Sequence, residues 1–168
     1  MVDTNGVIRT VAELKSPGGL FFDELRGLYI AETGNAQIRR ITRNGALEVA
    51  AAFDSAVRPC GLAEAAAGEI YTTDVAGHRV LMVNPEGVVF PAAGTGKAGF
   101  SGEGVLALTA EMEAPSGILI AGNAIHVADT GSHRLRSLTR AGDIVAPIVE
   151  PIVIENSALW NAATRLPA

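Results

Sequence analysis

Apolar residues along this chain come in short runs of about five, parted by turn chemistry rather than helix chemistry. The middle of the sequence shows this most clearly. Positions 60–63 are short and apolar, 69–73 carry Ile70 and Tyr71, 79–83 are almost entirely apolar, and 87–91 hold Val88, Val89 and Phe90. Between them stand Ala67-Gly68, Val75-Ala76-Gly77 and Asn84-Pro85-Glu86-Gly87. Four strands joined by tight turns make an antiparallel meander. Equivalent runs occur at 19–22, 27–31, 37–42 and 46–51, and again at 117–121, 124–128, 133–138 and 143–148. The middle runs are apolar on both alternations, which predicts strands packed between two other sheets rather than half exposed to water.

The three meanders are copies. Aligning 31–38, 73–80 and 128–135 on one acid superimposes Glu32, Asp74 and Asp129. Upstream, Pro17 and Pro59 each precede their acid by 15 positions and Pro115 precedes Asp129 by 14; downstream, Gly45, Gly87 and Gly142 each follow by 13. A supersecondary unit repeated in register, too small to bury its own faces, is stable only when stacked on its neighbours. Four-stranded units stacked face to face about an axis are propeller blades. The expected fold is all-β, a single repeat domain over 1–168, with blades at 16–52, 57–93 and 114–149, a long connection at 94–113 and an outgoing connection at 150–168. Residues 1–12 align with the end of the first meander and read as the last strand of an earlier blade, giving about three and a half blades. Within the long connection, 105–112 reads as a short helical turn.

Composition narrows the function. The chain has 168 residues, 48% of them hydrophobic, enough for a packed core. With 13 basic and 18 acidic residues the net charge is −5, so no overall positive field draws it to nucleic acid or an anionic membrane. RNA binding would require a basic rim, for which the sequence offers Arg39, Arg40, Arg43, Arg134, Arg136 and Arg140. No stretch approaches 18 uninterrupted apolar residues, and the chain as given opens without a basic segment followed by an apolar run. A soluble protein without a signal peptide in the supplied chain is the expectation, and the compartment is not legible. The single Cys60 allows no internal disulfide.

The string Val127-Ala128-Asp129-Thr130-Gly131-Ser132-His133-Arg134-Leu135-Arg136, preceded by Ala114-Pro115-Ser116-Gly117-Ile118, resembles the NHL-repeat family of β-propellers. The glycine-rich 93–104 is similar to the inter-blade connection of bacterial members. The second copy keeps Asp74, His78 and Arg79 but has Val75 for the usual threonine, and the first has Glu32, Ala36 and Gln37 in place of aspartate, histidine and arginine. The resemblance implies a ring commonly closed by six blades, of which this chain would supply half. An open arc leaves two apolar faces bare, so self-association is expected, or membership of a longer propeller.

In an up-and-down blade the turn between the second and third strands shares a rim with the connection to the next blade. That places His78, Arg79, His133, Arg134, Lys97 and Phe100 on one rim, the expected ligand-binding face for a protein or small molecule. Glu32, Asp74 and Asp129 end their second strands, where a carboxylate accepts hydrogen bonds from turn amides or pairs with an arginine; the alternative is a ring of oxygen ligands for Ca2+ or another divalent cation. His78 and His133 recur one per repeat, which suits a turn role better than catalysis, and the arginines beside them either grip an anion or pair with a neighbouring blade's acid. The string 94–99 matches G-x-G-x-x-G but lies between two antiparallel meanders, not in a strand-helix-strand unit, and no Ser or Thr follows Lys97 as a phosphate loop needs. Cys60 sits where a small residue is wanted, and no Ser, His and Asp set forms at a nucleophile motif. Trp160 is expected to pack on the last open face. The leading expectation is a non-catalytic binding scaffold without a cofactor; its rival is a divalent-metal-dependent hydrolase or lactonase similar to the gluconolactonase-like six-bladed propellers.

Overall fold

The strand β6 (Ile70–Asp74) shows why the repeat folds as it does: β-branched and aromatic side chains fill its first four positions, and all five residues are buried. A computed structural model describes residues 6–65, 67–101, 104–139 and 145–147. Three four-stranded antiparallel sheets follow one another along the chain. The first blade is β1 (Pro17–Asp23), β2 (Gly27–Glu32), β3 (Gln37–Ile41) and β4 (Leu47–Ala52). The second is β5 (Pro59–Glu64), β6, β7 (Arg79–Val83) and β8 (Val89–Ala93). The third is β9 (Pro115–Ala121), β10 (Ala124–Asp129), β11 (Arg134–Thr139) and β12 (Val145–Pro147). All twelve predicted strands are present, and the fold is a partial β-propeller. Of residues 1–12, Ile8 forms a β-bridge; the outgoing connection 150–168, with Trp160, lies outside the described residues. Among the described residues no helix is long and apolar enough to cross a membrane.

Two apolar layers glue the blades together. Tyr29, Ala31, Ile38 and Ala51 of the first blade meet Leu62, Ile70 and Val83 of the second. Tyr71, Val80 and Ala93 from the other face of the second blade meet Ile125, Val127 and Leu138 of the third. The second blade is thus apolar on both faces because both are covered. In β10 the same strand position alternates between buried and half-buried residues, since only one face has a neighbour.

The inner strands approach closely enough to require glycine. A Cβ on Gly19 would lie 2.7 Å from the Cys60 carbonyl oxygen, and one on Gly61 would overlap the Ser116 carbonyl. Gly117, at the same place in the third blade, meets only the Ala128 methyl at 3.5 Å. Hydroxyls tie the strands in the same region: Thr33 Oγ1 donates to the Pro59 carbonyl at 2.5 Å, and Thr73 Oγ1 to the Ser116 carbonyl at 2.7 Å. Cys60 itself is free and half-buried between these contacts.

The connection 94–114 does more than skirt the rim. Its described residues include a 3₁₀ turn at Ala107–Thr109, and it buries Ala107, Ala110 and Met112 completely in the layer between the second and third blades. Backbone bonds fold it on itself, the amides of Gly94, Thr95 and Gly99 donating to the carbonyls of Ala107, Ala110 and Met112.

Candidate functional site

Each β2–β3-type turn closes on a residue in the left-handed region: Ala36 (φ 52), His78 (φ 51) and His133 (φ 55). Non-glycine residues are uncommon there, so the turn geometry is held by its surroundings. The recurring acid is what holds it. Asp74 Oδ1 accepts from the Gly77 amide within the turn and from the Arg58 amide in the incoming connection, both at 3.0 Å, while Oδ2 accepts from Arg79 Nε at 3.0 Å. Glu32 Oε1 accepts from the Lys15 amide at 2.9 Å and from Asn35 Nδ2 at 2.8 Å, with Arg39 Nη1 at 3.3 Å from Oε2. Asp129 Oδ1 accepts from the Glu113 amide at 2.7 Å. All three carboxylates are buried and lock a turn to the segment leading into their own blade.

The arginine that answers each acid is not fixed in sequence. Arg79 stands opposite Asp74 across β6 and β7, and Arg134 stands in the same register opposite Asp129. Yet the cation beside Asp129 is Arg136, 3.5 Å away and almost wholly buried, and the cation beside Glu32 is the half-buried Arg39, at the same place in its copy. Arg136 Nη1 and Asp129 Oδ2 make no hydrogen bond at that separation. The expectation that Arg79 or Arg134 pairs with a neighbouring blade's acid is therefore corrected: Arg79 pairs within its own blade, and Arg134 Nη1 donates to the Ser132 carbonyl at 2.8 Å. Two residues along a strand return to the same face, so either position can reach the carboxylate.

Arg134 is drawn away by Phe100. Its guanidinium carbon lies 4.0 Å from the Phe100 ring centroid, and that of Arg136 lies at 5.0 Å. Arg136 Nη2 also donates to the Ser101 carbonyl at 3.3 Å. Lys97 is exposed on the same connection. His78 is part of the junction rather than free: its Nδ1 accepts from the Ala114 amide at 3.1 Å. His133, its counterpart, is exposed and has no such amide against it among the described residues. The predicted rim residues thus share one rim but divide into junction groups (His78, Arg79) and a surface cluster (Lys97, Phe100, Arg134). Sequence reasoning offered Arg39 and Arg136 only as parts of a basic rim and missed them as partners of the acids; their place two residues beyond Gln37 and Arg134 was the available signal.

Electrostatics follow the contacts. Burial pushes the Glu32 carboxyl up, but the Lys15 amide, Arg39 and Asn35 outweigh it and hold it below its ordinary value of 4.5. On the opposite rim Arg26 bridges Asp23 and Glu64 across the first two blades. Burial favours protonated Asp23, yet the Arg26 and Leu25 amides and the Arg26 side chain bring it below its usual range. Glu64 goes the other way: burial raises it, helped by the charge of Asp23, against the opposing pull of Arg26.

Among the described residues no group of three or more His, Cys, Asp and Glu side chains gathers as a metal site. The three repeat acids stand at separate positions, each with its own amide and arginine.

No family model matches the chain. No curated protein matches it in sequence. Solved structures do match in fold. A virginiamycin B lyase from Staphylococcus aureus aligns with a TM-score of 0.63 at 17% identity, over 89% of this chain and 48% of its own. An auxiliary nutrient binding protein from Bacteroides thetaiotaomicron aligns at 0.67 and 18%, over 83% and 37%. A gluconolactonase from Xanthomonas campestris aligns at 0.62 and 12%, over 82% and 48%. The chain spans about half or less of the length of these proteins, and its blades are those of a β-propeller.

Proposed function

We propose that this chain is a non-catalytic, NHL-like propeller scaffold that self-associates to complete a ring and binds a protein or small ligand through its rim. The observation that carries the reading is the engagement of the repeat acids: Glu32, Asp74 and Asp129, the residues best suited to chemistry, are each taken up in tying a turn to the segment that leads into their own blade. What remains for recognition on that rim is Lys97, Phe100 and Arg134, with His133 beside them. The nutrient-binding likeness supports a binding role without supplying a ligand.

Ring completion is supported by the unmatched halves of the junction. The first blade exposes Leu20 and Phe22 on the face opposite Phe21 and Tyr29. The third exposes Leu119 and Leu135, and holds out Gly117 and His133, whose counterparts Gly61 and His78 are both occupied by the following blade. Sedimentation at micromolar concentration is expected to give a species of at least twice 17.3 kDa. A stable monomer would refute self-association.

The rival reading, a metal-dependent lactonase, draws on the gluconolactonase likeness. Millimolar calcium is expected to leave thermal stability unchanged and to bring no hydrolysis of a sugar lactone above the buffer rate. Calcium-dependent turnover abolished by Asp129→Asn would displace the scaffold reading.

A further inference from the structure

We propose that the cleft between the first and second blades docks an aromatic side chain carried on a peptide segment, seated on the guanidinium of Arg79. The cleft measures about 400 Å³ and is lined chiefly by Phe53, Val57, Arg79, Leu81, Phe90 and Pro91. Three of its wall positions have counterparts one blade further on, fixed by strand pairing. Arg79 opposes Asp74 as Arg134 opposes Asp129, and Leu81 opposes Pro91 as Arg136 opposes Pro147.

At that second place the chain fills the slot itself. The connection 94–114 delivers Phe100 onto Arg134 at 4.0 Å, with Arg136 at 5.0 Å on the same ring. At the first junction the chain crosses in residues 53–58, whose Phe53, Asp54 and Val57 line the cleft without laying a ring over Arg79. The molecule therefore carries, one repeat away, a worked example of the occupant: a phenyl ring on a small-residue backbone between Gly99 and Ser101.

The empty slot is prepared for the same contact. Arg79 Nε is bonded to Asp74 Oδ2, which fixes the guanidinium plane while leaving 38% of the side chain exposed. A pre-oriented planar cation loses little freedom when a ring stacks on it. Leu81 in place of Arg136 replaces a second cationic contact by an apolar one, and Phe53, Val89 and Phe90 extend that apolar wall. The cleft lies at the junction between the first two blades, away from the outer faces, so completing the ring at those faces leaves it open. The inference is independent of self-association.

The test titrates the capped peptide Gly-Thr-Gly-Lys-Ala-Gly-Phe-Ser-Gly, copied from residues 94–102, into the full chain, followed by amide chemical shifts. Binding with a Kd of about 1 mM is expected, with shifts centred on residues 79–81 and 89–90. Replacing the peptide's phenylalanine by alanine should weaken binding at least fivefold, as should Phe90→Ser in the protein. The peptide comparison uses the wild-type chain and so holds even where the variant fails to fold. Absence of shifts at 10 mM peptide overturns the proposal, as does equal binding of the alanine peptide. Shifts confined to Phe100 and Arg134 would place the peptide at the wrong junction. Equal affinity for N-acetylphenylalanine amide would overturn the peptide assignment in favour of free aromatic compounds.

Discussion

Between the first two blades the chain crosses in residues 53–58 and leaves Arg79 beside an open cleft; between the second and third it takes residues 94–114, buries Ala107, Ala110 and Met112, and lays Phe100 over two arginines. The invariant part of both junctions is small. A glycine meets a carbonyl, a threonine hydroxyl bonds the next inner strand, and a carboxylate takes the amide of the incoming segment. Everything beyond that varies with the length of the connection, including which arginine answers the acid. The long connection captures Arg134 for Phe100 and leaves Asp129 to the more deeply buried Arg136.

That difference sets the largest expected effect. Asp129→Ala strands the buried Arg136 charge and should cost about 3–5 kcal/mol. Asp74→Ala removes the bonds to two amides, but Arg79 can turn to water, and the cost should be about 1–3 kcal/mol. Urea denaturation of the two variants measures the gap. Equal losses would break the contrast between the junctions.

Inner-strand glycines come next. Gly61→Ala forces a methyl against the Ser116 carbonyl and should cost about 1–3 kcal/mol, whereas Gly117→Ala should stay within about 0.5 kcal/mol in the isolated chain. The second substitution sharpens the comparison when repeated on the associated species. There Gly117 faces an incoming inner strand, and the alanine should shift the sedimentation equilibrium towards smaller species. An unchanged equilibrium would mean that the third blade's open face meets its partner in some other way.

The smallest effect is in acid. Glu32 has a folded-state pKa below its ordinary 4.5, so its contribution is fully present above that value and is lost as pH falls through the folded one. Asp23 acts in the same direction. Glu64, raised by burial, acts oppositely: its contribution is present below 4.5 and is lost as pH rises through the folded value. Glu32→Gln should therefore flatten the acid limb of a stability-against-pH curve below about pH 4.5, while Glu64→Gln should leave that limb at least as steep. A Glu32→Gln curve parallel to wild type would remove Glu32 from this account.

Much of this architecture was legible in the residues. Short apolar runs between Ala67-Gly68 and Asn84-Pro85-Glu86-Gly87 mark strand ends because turn residues are chosen by local backbone demands, which do not depend on distant contacts. Repetition of Pro59 and Asp74 in Pro115 and Asp129 then shows which strands belong to one blade. The pairing of Asp129 was not legible, since Arg134 and Arg136 point to the same face of β11 and only the placement of Phe100 decides between them. Nor was the burial of Met112 in a segment that reads as rim connection. Its side chain is recruited by the gap between two sheets, a property of the packed blades rather than of the local string. The rim reading itself placed His78 and His133 in equivalent positions, and their left-handed backbone supports a turn role for both.

The hydroxyl links at each junction use groups from two adjacent blades, and each carboxylate link uses its own blade and the segment leading into it. A mutation that inserts or deletes a whole repeat would therefore leave every surviving seam chemically complete. Such a scaffold can change its blade count by duplication or loss without redesigning any single seam, and only the curvature of the stack would then limit how many blades one circle accepts.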